Sequence, residues 1–218
     1  MAYKVKEIFY TLQGEGAQSG RPAVFCRFTG CNLWTGREKD RPKAICQFCD
    51  TDFWGMDGEN GGKYKTATEL AKKVKSLWMA PSPQESSRTI GKPFVVCTGG
   101  EPALQLDKAL IEAFHQEGLE IAIETNGTMA LPEGIDWVCV SPKAHTEIVV
   151  TKGDELKLVY PQNGLSPQQF EHLHFTYFYL SPMDNAFQKD NMQQTVAFCL
   201  KNPHWRLSLQ THKILNIP

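Results

Sequence analysis

The sequence predicts an α/β fold built from parallel β-α units, arranged as an incomplete β/α barrel or an open sheet. Eight short runs rich in Val, Ile, Phe and Tyr have the composition of β-strands. Several of these runs are apolar almost throughout, which is typical of strands buried on both faces. About four segments with helical periodicity lie among them. Strands that alternate with helices favour a parallel sheet.

The predicted strands are spread over the whole chain. They are, in order, YKVKEIFY, PAVFCRF, PFVVCT, LEIAIET, IDWVCVS, ELKLVY, FTYFYL and HWRLSLQ. The first helix begins at a capping box made by Thr66 and Glu69, and the second can end at a cap on Gly118. The apolar faces expected of three helices consist of Leu70, Val74 and Leu77, of Leu106, Ala109, Leu110, Ala113 and Phe114, and of Met192, Val196, Cys199 and Leu200. Their composition predicts a loop for residues 80–92.

Composition and charge limit the classes of function. The chain has 218 residues, 41% hydrophobic and 22% charged, which is the composition of a globular domain with its own core. The formal net charge of -1 provides no basic field for nucleic acid. No apolar run reaches the roughly 20 residues of a membrane helix, and the first residues do not resemble a signal peptide. We therefore expect a cytoplasmic protein that binds neither nucleic acid nor a membrane.

Polar segments containing Gly or Pro follow four of the predicted strands. They are CTGGEP, ETNGT, SPK and SPMDN. In sheets of parallel strands the carboxyl ends of the strands meet at one edge, and ligands bind there. We therefore expect these four segments to converge on a binding site.

The seven cysteines divide into two groups. Four lie in apolar runs and are expected to be buried and inert: Cys26, Cys97, Cys139 and Cys199. The other three lie in polar sequence that contains Gly and Asp: Cys31, Cys46 and Cys49. A disulfide framework is typical of short secreted chains, and this odd number of cysteines in a long chain does not indicate one.

The trio of Cys31, Cys46 and Cys49 fits three kinds of site. A structural zinc site needs four ligands, and the nearest histidine, His115, is far along the chain. A redox pair would use Cys46 and Cys49 and leave Cys31 without a role. An iron–sulfur cluster usually has four cysteine ligands, so three would leave one iron open to a small molecule. The spacing alone favours neither the zinc site nor the cluster.

The trio together with TGGEP at residues 98–102 resembles the radical S-adenosylmethionine (SAM) superfamily. That superfamily usually has a much shorter gap between its first two cysteines, whereas here fourteen residues, Asn32 to Ile45, separate them. The long gap resembles one member family, the 7-carboxy-7-deazaguanine synthases. YTLQGEG, FCRFTGCNLW, CDTDF, ETNGT, SPK and SPMD resemble the same family. The resemblance covers nearly the whole chain.

The resemblance implies a single radical SAM core domain over residues 1–218, folded as a partial β/α barrel with a modified cluster-binding loop at about residues 31–49. It implies a carbon–nitrogen lyase that converts 6-carboxy-5,6,7,8-tetrahydropterin to 7-carboxy-7-deazaguanine and ammonia, in the biosynthesis of 7-deazapurines such as the queuosine precursor used in tRNA modification. The implied cofactors are a [4Fe-4S] cluster on Cys31, Cys46 and Cys49, SAM on the open iron, and Mg²⁺ on the hydroxyl of Thr51. The implied partners are a second copy of the chain, as a homodimer, and a flavodoxin-like electron donor.

The resemblance also implies roles for individual residues at the strand exits. The SAM contacts are Phe48, Cys49, Asp50, Gly100, Ser141, Pro142, Lys143, Ser181, Pro182, Met183 and Asp184. The substrate contacts are Leu12, Gln13, Gly14, Arg27, Thr98, His212 and the terminal carboxylate of Pro218. Glu124 is the candidate proton acceptor.

Several of these roles also have a physical reason. Gln13 offers both an amide donor and an amide acceptor to the edge of a pterin. Arg27 lies inside an apolar strand, where its charge needs a partner, and either a substrate carboxylate or an internal glutamate would serve. Lys143 can pair with the carboxylate of SAM as a point charge, and Asp184 can accept hydrogen bonds from ribose hydroxyls.

Two other classes of function remain open. One is a radical SAM activase that forms a glycyl radical on another protein, which would share the cluster and GGEP but would not need YTLQGEG or a buried Arg27. The other is a non-catalytic binding protein stabilised by zinc on the cysteine trio. Zinc predicts a colourless protein, whereas a cluster predicts a brown, oxygen-sensitive one.

Overall fold

A computed structural model describes residues 2–79 and 91–218 of the chain. In this part of the chain the strands are β1 (Tyr3–Leu12), β2 (Pro22–Phe28), β3 (Gly62–Tyr64), β4 (Phe94–Gly99), β5 (Glu120–Thr125), β6 (Trp137–Val140), β7 (Lys152–Tyr160), β8 (His174–Pro182) and β9 (Trp205–Leu207). The α-helices are α1 (Ala67–Met79), α2 (Lys108–Gln116), α3 (Gln188–Lys201) and α4 (Thr211–Leu215). None of the helices in the described residues is long and apolar enough to cross a bilayer.

The strands form one mixed sheet in the order β3-β1-β2-β4-β5-β6-β7-β8-β9. β1 is antiparallel to both of its neighbours, β2 and β3. Every other pairing, from β2 with β4 to β8 with β9, is parallel. Apart from β3, the strands from β2 to β9 therefore lie side by side in chain order, without the reversal that defines the switch point of a doubly wound sheet. Their carboxyl ends all lie at one edge.

The predicted α/β class is confirmed, and all eight predicted strands are present. The sequence does not indicate β3 or α4, which have three and five residues. Elements this short carry too little periodicity to be recognised, and β3 exists because it pairs with the start of β1. Of the predicted loop, residues 80–90 lie outside the described residues.

Two hydrophobic clusters make up the core. The larger one packs α1 and α2 against β1, β2, β4 and β5, and it includes the fully buried Leu70 and Phe114. The smaller one joins β6, β7, β8 and β9 with part of α3, around Phe178 and Trp205. Helix α1 begins at its predicted cap, where the hydroxyl of Thr66 accepts a hydrogen bond from a backbone N–H at 3.1 Å.

Two of the predicted helix faces were wrong in part. On α2, Ile111 is buried and Ala109 is exposed. On α3, Val196 and Leu200 are 37% and 81% exposed, whereas the polar Asn191 is buried. The amide of Asn191 donates to a backbone carbonyl just after β8 at 2.8 Å. Because an amide anchors this helix, hydrophobic periodicity does not reveal its buried face.

The cysteines outside the trio follow the prediction with one exception. Cys26, Cys97 and Cys139 are buried in β2, β4 and β6, and burial raises the pKa of each thiol. Cys199 lies in α3 and is only partly buried. The three strand thiols therefore have the environment of inert cysteines.

Asp107 is the N-cap of α2 and connects that helix to β1. Its Oδ1 accepts hydrogen bonds from the backbone N–H of Leu110 at 2.9 Å and from the hydroxyl of Tyr3 at 2.7 Å. We expect Asp107→Ala to lower the free energy of unfolding by about 1–2 kcal/mol, because the loss of such a cap costs that much. Urea denaturation measures the change.

The matched control is Asp107→Asn, which keeps an acceptor oxygen for the cap and should cost less than the alanine substitution. Tyr3→Phe removes the tertiary hydrogen bond alone and separates the two contributions. Wild-type stability of Asp107→Ala would show that the cap does not contribute.

Candidate active site

A cavity of about 440 Å³ lies at the carboxyl ends of the parallel strands, a size typical of small-molecule sites. Its walls come from β1, β2 and the segment after β1 (residues 13–17), from loop residues 31–53, from the carboxyl ends of β4 to β8, and from the C-terminal segment (residues 210–218). The four polar strand exits therefore converge on one space.

The three cysteines of the trio all line this cavity. A backbone N–H, that of Leu33, lies 3.4 Å from the sulfur of Cys31. Burial raises the pKa of each thiol, and Cys49 and Cys31 raise that of Cys46 further. Within residues 2–79 and 91–218, no three His, Cys, Asp or Glu side chains are grouped around a single metal ion. The thiols are thus neighbours without forming a preformed single-ion site.

Arg41 holds the loop that carries the trio. Its guanidinium pairs with Glu38 at 2.6 Å and donates to the carbonyls of Gln47 and Cys49 at 2.9 and 3.0 Å. The same group stacks 4.0 Å from the ring centre of Trp34. One side chain therefore ties the middle of the long gap to the Cys-x-x-Cys end.

The glycines of TGGEP permit a close approach between this strand exit and the trio. A Cβ on Gly100 would overlap the carbonyl of Gly30 and would lie 2.9 Å from the Cβ of Cys31. Any larger residue at position 100 would therefore push the first cysteine away from the cavity wall. The backbone approach, rather than a turn alone, requires glycine here.

Glu101 joins two of the strand exits. It is fully buried, and its carboxylate accepts hydrogen bonds from the hydroxyl of Thr125 at 2.7 Å and from the backbone N–H of Asn126 at 2.8 Å. It also caps the turn that follows, through the N–H of Ala103 at 2.9 Å. TGGEP and ETNGT are therefore held together by one side chain.

The residues expected to contact substrate all line the cavity: Leu12, Gln13, Gly14, Arg27, Thr98, His212 and Pro218. The amide of Gln13 is partly engaged by the protein. Its Nε2 donates to Glu124 at 3.2 Å, and its Oε1 accepts from the N–H of Glu15 at 3.1 Å. One N–H and one lone pair are left for a ligand, so the expectation of a wholly available amide needs correction.

Arg27 pairs with an internal glutamate, which is one of the two partners expected for it; the other is a substrate carboxylate. Its Nε donates to Glu7 at 2.7 Å. Because Nε is occupied, a carboxylate ligand would have to bind through the two terminal nitrogens and share Arg27 with Glu7.

Of the residues expected to contact SAM, all but one line the cavity: Phe48, Cys49, Asp50, Gly100, Ser141, Lys143, Ser181, Pro182, Met183 and Asp184. Pro142 is not among the lining residues, and its carbonyl accepts from the side chain of Gln162 at 3.3 Å. Lys143 donates to the carbonyl and hydroxyl of Ser141 at 2.6 and 2.7 Å. A SAM carboxylate would therefore compete with Ser141 for this lysine.

Lys213 of α4 is a residue that sequence reasoning missed. Its ammonium lies 2.6 Å from Asp50 and 2.5 Å from Asp184. Burial alone would raise the pKa of Asp50, but Lys213 brings it below its usual value. Two aspartates that were predicted to contact SAM are thus bridged by a lysine from the C-terminal segment.

The C-terminal segment packs onto the segment after β1. The carbonyl of Gly14 accepts from the N–H and hydroxyl of Thr211 at 3.0 and 2.8 Å. The carbonyl of Pro218 accepts from the hydroxyl of Thr11 at 2.9 Å. These contacts account for the positions of His212 and Pro218 in the wall.

Thr51 and Glu124 also line the cavity. Thr51 precedes Asp52, which pairs with the buried Lys6 of β1 at 2.8 Å. Glu124 accepts hydrogen bonds from Gln13 and, at 2.8 Å, from Lys157. Lys157 and Lys6 were not among the residues predicted from the sequence. Lys157 could have been found, because it is a charged residue inside the apolar run ELKLVY, as Arg27 is inside PAVFCRF.

Comparison with known proteins identifies the family. No protein-family model matches the chain. A protein of Caulobacter vibrioides named 7-carboxy-7-deazaguanine synthase is 58% identical over 218 residues, with both chains covered completely. Proteins with the same name from Bordetella pertussis and Bacteroides thetaiotaomicron are 56% and 41% identical, again over the full length of both chains. The chain belongs to the 7-carboxy-7-deazaguanine synthase family.

Membership of the 7-carboxy-7-deazaguanine synthase family confirms the prediction of an enzyme and leaves no support for the activase or for the zinc-stabilised binding protein. The fold agrees with it. The crystal structure of QueE from Escherichia coli covers 96% of this chain, and this chain covers 94% of that one, with a TM-score of 0.68 and 24% identity.

In this member of the 7-carboxy-7-deazaguanine synthase family, the segment after β1 is fastened to β7 and to the residue that follows β9. The N–H of Gly16 donates to the hydroxyl of Ser208 at 2.9 Å, and the N–H of Ala17 donates to Glu155 at 2.8 Å. Gly16 has a φ of 66°, and a Cβ there would overlap the carboxylate of Glu155. Only glycine fits this position without a shift.

We expect Gly16→Ala to lower the free energy of unfolding more than Gly20→Ala. Both glycines have positive φ, but a Cβ on Gly20 would meet no atom within 4 Å. The strain of about 1–2 kcal/mol is thus common to both, and only Gly16→Ala adds the collision with Glu155. Urea denaturation of the two variants measures the difference, and equal losses would contradict the packing of Gly16 on Glu155.

Proposed function

We propose that this chain is a radical SAM lyase that converts 6-carboxy-5,6,7,8-tetrahydropterin to 7-carboxy-7-deazaguanine with loss of ammonia, in 7-deazapurine biosynthesis. One observation carries the proposal: three cysteines of one loop line the same cavity as Gln13 and Arg27. Such a cavity can hold a redox cofactor beside a carboxylated heterocycle. Family membership supports the same reaction.

Cys31, Cys46 and Cys49 are the proposed ligands of a [4Fe-4S] cluster. One buried and two partly buried thiols that line the cavity, with an N–H near the sulfur of Cys31, are a donor set that suits such a cluster, because solvent exposure and hydrogen bonds to sulfur tune it. Three protein ligands leave one iron for SAM, and the bound cofactors supply one-electron reductive cleavage of SAM. The chain holds the cofactors in place and excludes water from them.

The proposed SAM site uses the strand exits. Gly100 lines the cavity and lets TGGEP pack against Cys31, and Lys143 supplies a positive charge for the SAM carboxylate. Asp50 and Asp184 are proposed to accept from the ribose, in exchange for their contacts with Lys213. The remaining proposed contacts are Phe48, Cys49, Ser141, Ser181, Pro182 and Met183.

The proposed substrate site lies in the same cavity. The terminal nitrogens of Arg27 are proposed to bind the substrate carboxylate, and Gln13 to bind the pterin edge with the backbone of Leu12 and Gly14. Glu124 is the proposed proton acceptor. Thr98, His212 and Pro218 complete the proposed set.

The proposed architecture is a partial β/α barrel formed by a single core domain over residues 1–218, with a modified cluster-binding loop at about residues 31–49. The strand order supports a barrel, since parallel strands follow one another in chain order in barrels. A cytoplasmic location, a homodimer and a flavodoxin-like electron donor belong to the same proposal.

Anaerobic turnover tests the function. Reduced, reconstituted protein given SAM, Mg²⁺ and carboxytetrahydropterin should form 5'-deoxyadenosine and the deazaguanine product, both measured by liquid chromatography with mass detection. Cys46→Ala should abolish both products, because a cluster ligand is lost. Cys199→Ala, which changes a cysteine in α3 outside the cavity wall, is the matched control and should retain activity. The absence of both products from the wild-type protein would refute the proposed reaction.

Thr51 is the proposed ligand of Mg²⁺, with substrate and water completing the coordination sphere. We expect Thr51→Ala to raise the Mg²⁺ concentration needed for half-maximal activity about tenfold, because one oxygen ligand is lost. Iron content and the absorbance of the cluster should not change. Thr51→Ser keeps the hydroxyl and should retain the magnesium response, so an equal loss in both variants would contradict the assignment.

A further inference from the structure

A buried group of charged side chains lies next to the segment after β1. Lys157 of β7 is 5% exposed, and its ammonium lies 2.8 Å from Glu15 and 2.8 Å from Glu124. Glu155, on the same strand, is 2% exposed. The ammonium of Lys157 thus forms ion pairs with two glutamates, and Glu155 lies nearby. Of these three glutamates, only Glu124 has a role in the proposed reaction.

This group determines the orientation of the Gln13 amide. Glu124 uses one oxygen for Lys157 and the other to accept from Nε2 of Gln13 at 3.2 Å. At the other end of the amide, Oε1 of Gln13 accepts from the N–H of Glu15 at 3.1 Å. A carboxylate accepts and a backbone N–H donates, so these two partners allow only one placement of the amide oxygen and nitrogen.

Lys157 is the cation that Glu15 and Glu124 share, while Glu15 has a further hydrogen-bond partner in the side chain of Gln210. Burial would lower the pKa of Lys157, but Cys139, Glu124, Glu15 and Glu155 raise it well above its ordinary value, so the side chain is charged at neutral pH. Without that charge, Glu15 and Glu124 would be unpaired acids in a half-buried site and would move apart or toward water.

We propose that Lys157 is a positioning residue that sets the specificity of the site, because it holds Glu15 and Glu124 so that the Gln13 amide faces the ligand with one fixed donor–acceptor order. The fixed lone pair on Oε1 matches the exocyclic amine of a 2-amino-4-oxo heterocycle. A 2,4-dioxo heterocycle has an oxygen in place of that amine. Two acceptors, this oxygen and Oε1 of Gln13, would then face each other without a hydrogen bond, so the heterocycle is rejected. This inference rests on the proposed function, in which Gln13 binds the pterin edge.

Fluorescence titration of the full-length, reconstituted protein tests the inference without turnover. The probes are 6-carboxypterin and 6-carboxylumazine, which carry a 2-amino and a 2-oxo group. We expect the wild-type protein to bind the pterin at least about tenfold more tightly, the value of one hydrogen bond to a satisfied buried group. In Lys157→Met the Kd for the pterin should rise about tenfold and the two Kd values should become similar, because a mobile amide can turn to either probe. Lys152→Met, at the exposed start of the same strand, should behave as wild type.

The outcomes separate this inference from the proposed function. A folded Lys157→Met protein with wild-type affinity and preference would overturn the role of Lys157 and leave the function standing. A wild-type protein that binds neither probe would overturn the proposed substrate class, and the inference with it. Circular dichroism checks the fold of each variant. If Lys157→Met does not fold, the double variant Lys157→Met/Glu124→Gln replaces it, because the second substitution removes a charge that the first leaves unpaired. Retention of the wild-type preference in the double variant would equally overturn the inference.

Discussion

Parallel pairing of β2 with β4 and on to β9 brings the carboxyl ends of successive strands to one edge of the sheet, and the walls that the strand exits form depend on that arrangement. The exits are then fastened to one another by buried hydrogen bonds. Glu101 shows this most clearly, since its carboxylate serves the exits of both β4 and β5. A buried carboxylate with three donors is satisfied only when both exits are in place, so the site forms as a unit with the sheet.

The electrostatics of the cavity follow one pattern, in which a cation from one element pairs with acids from distant segments. Lys213 bridges Asp50 and Asp184, and Lys157 bridges Glu15 and Glu124. Each pair closes a wall that the local backbone alone would leave open. A ligand that binds Asp50 and Asp184 through the oxygens that face Lys213 displaces this lysine, which links the binding of a cofactor to the position of the C-terminal segment.

Patterns confined to neighbouring residues were readable in the sequence. Strand composition located the eight longer strands, and the capping signals at Thr66 and Gly118 located helix ends. Periodicity failed on α3, where a buried amide rather than an apolar face makes the contact. It also failed for β3 and α4, because elements of three and five residues are stabilised by their partners and not by their own sequence.

The fold class, the family and the set of residues at the strand exits can be recognised from the amino-acid sequence, because they depend on strand composition and on short motifs with their spacing. Which partners those residues have within the protein is known only from the folded chain. It placed Pro142 outside the wall, gave Arg27 the partner Glu7, and enclosed Gln13 between Glu15 and Glu124. Such pairings join residues far apart in the chain, and a buried charge indicates that it needs a partner without indicating which one.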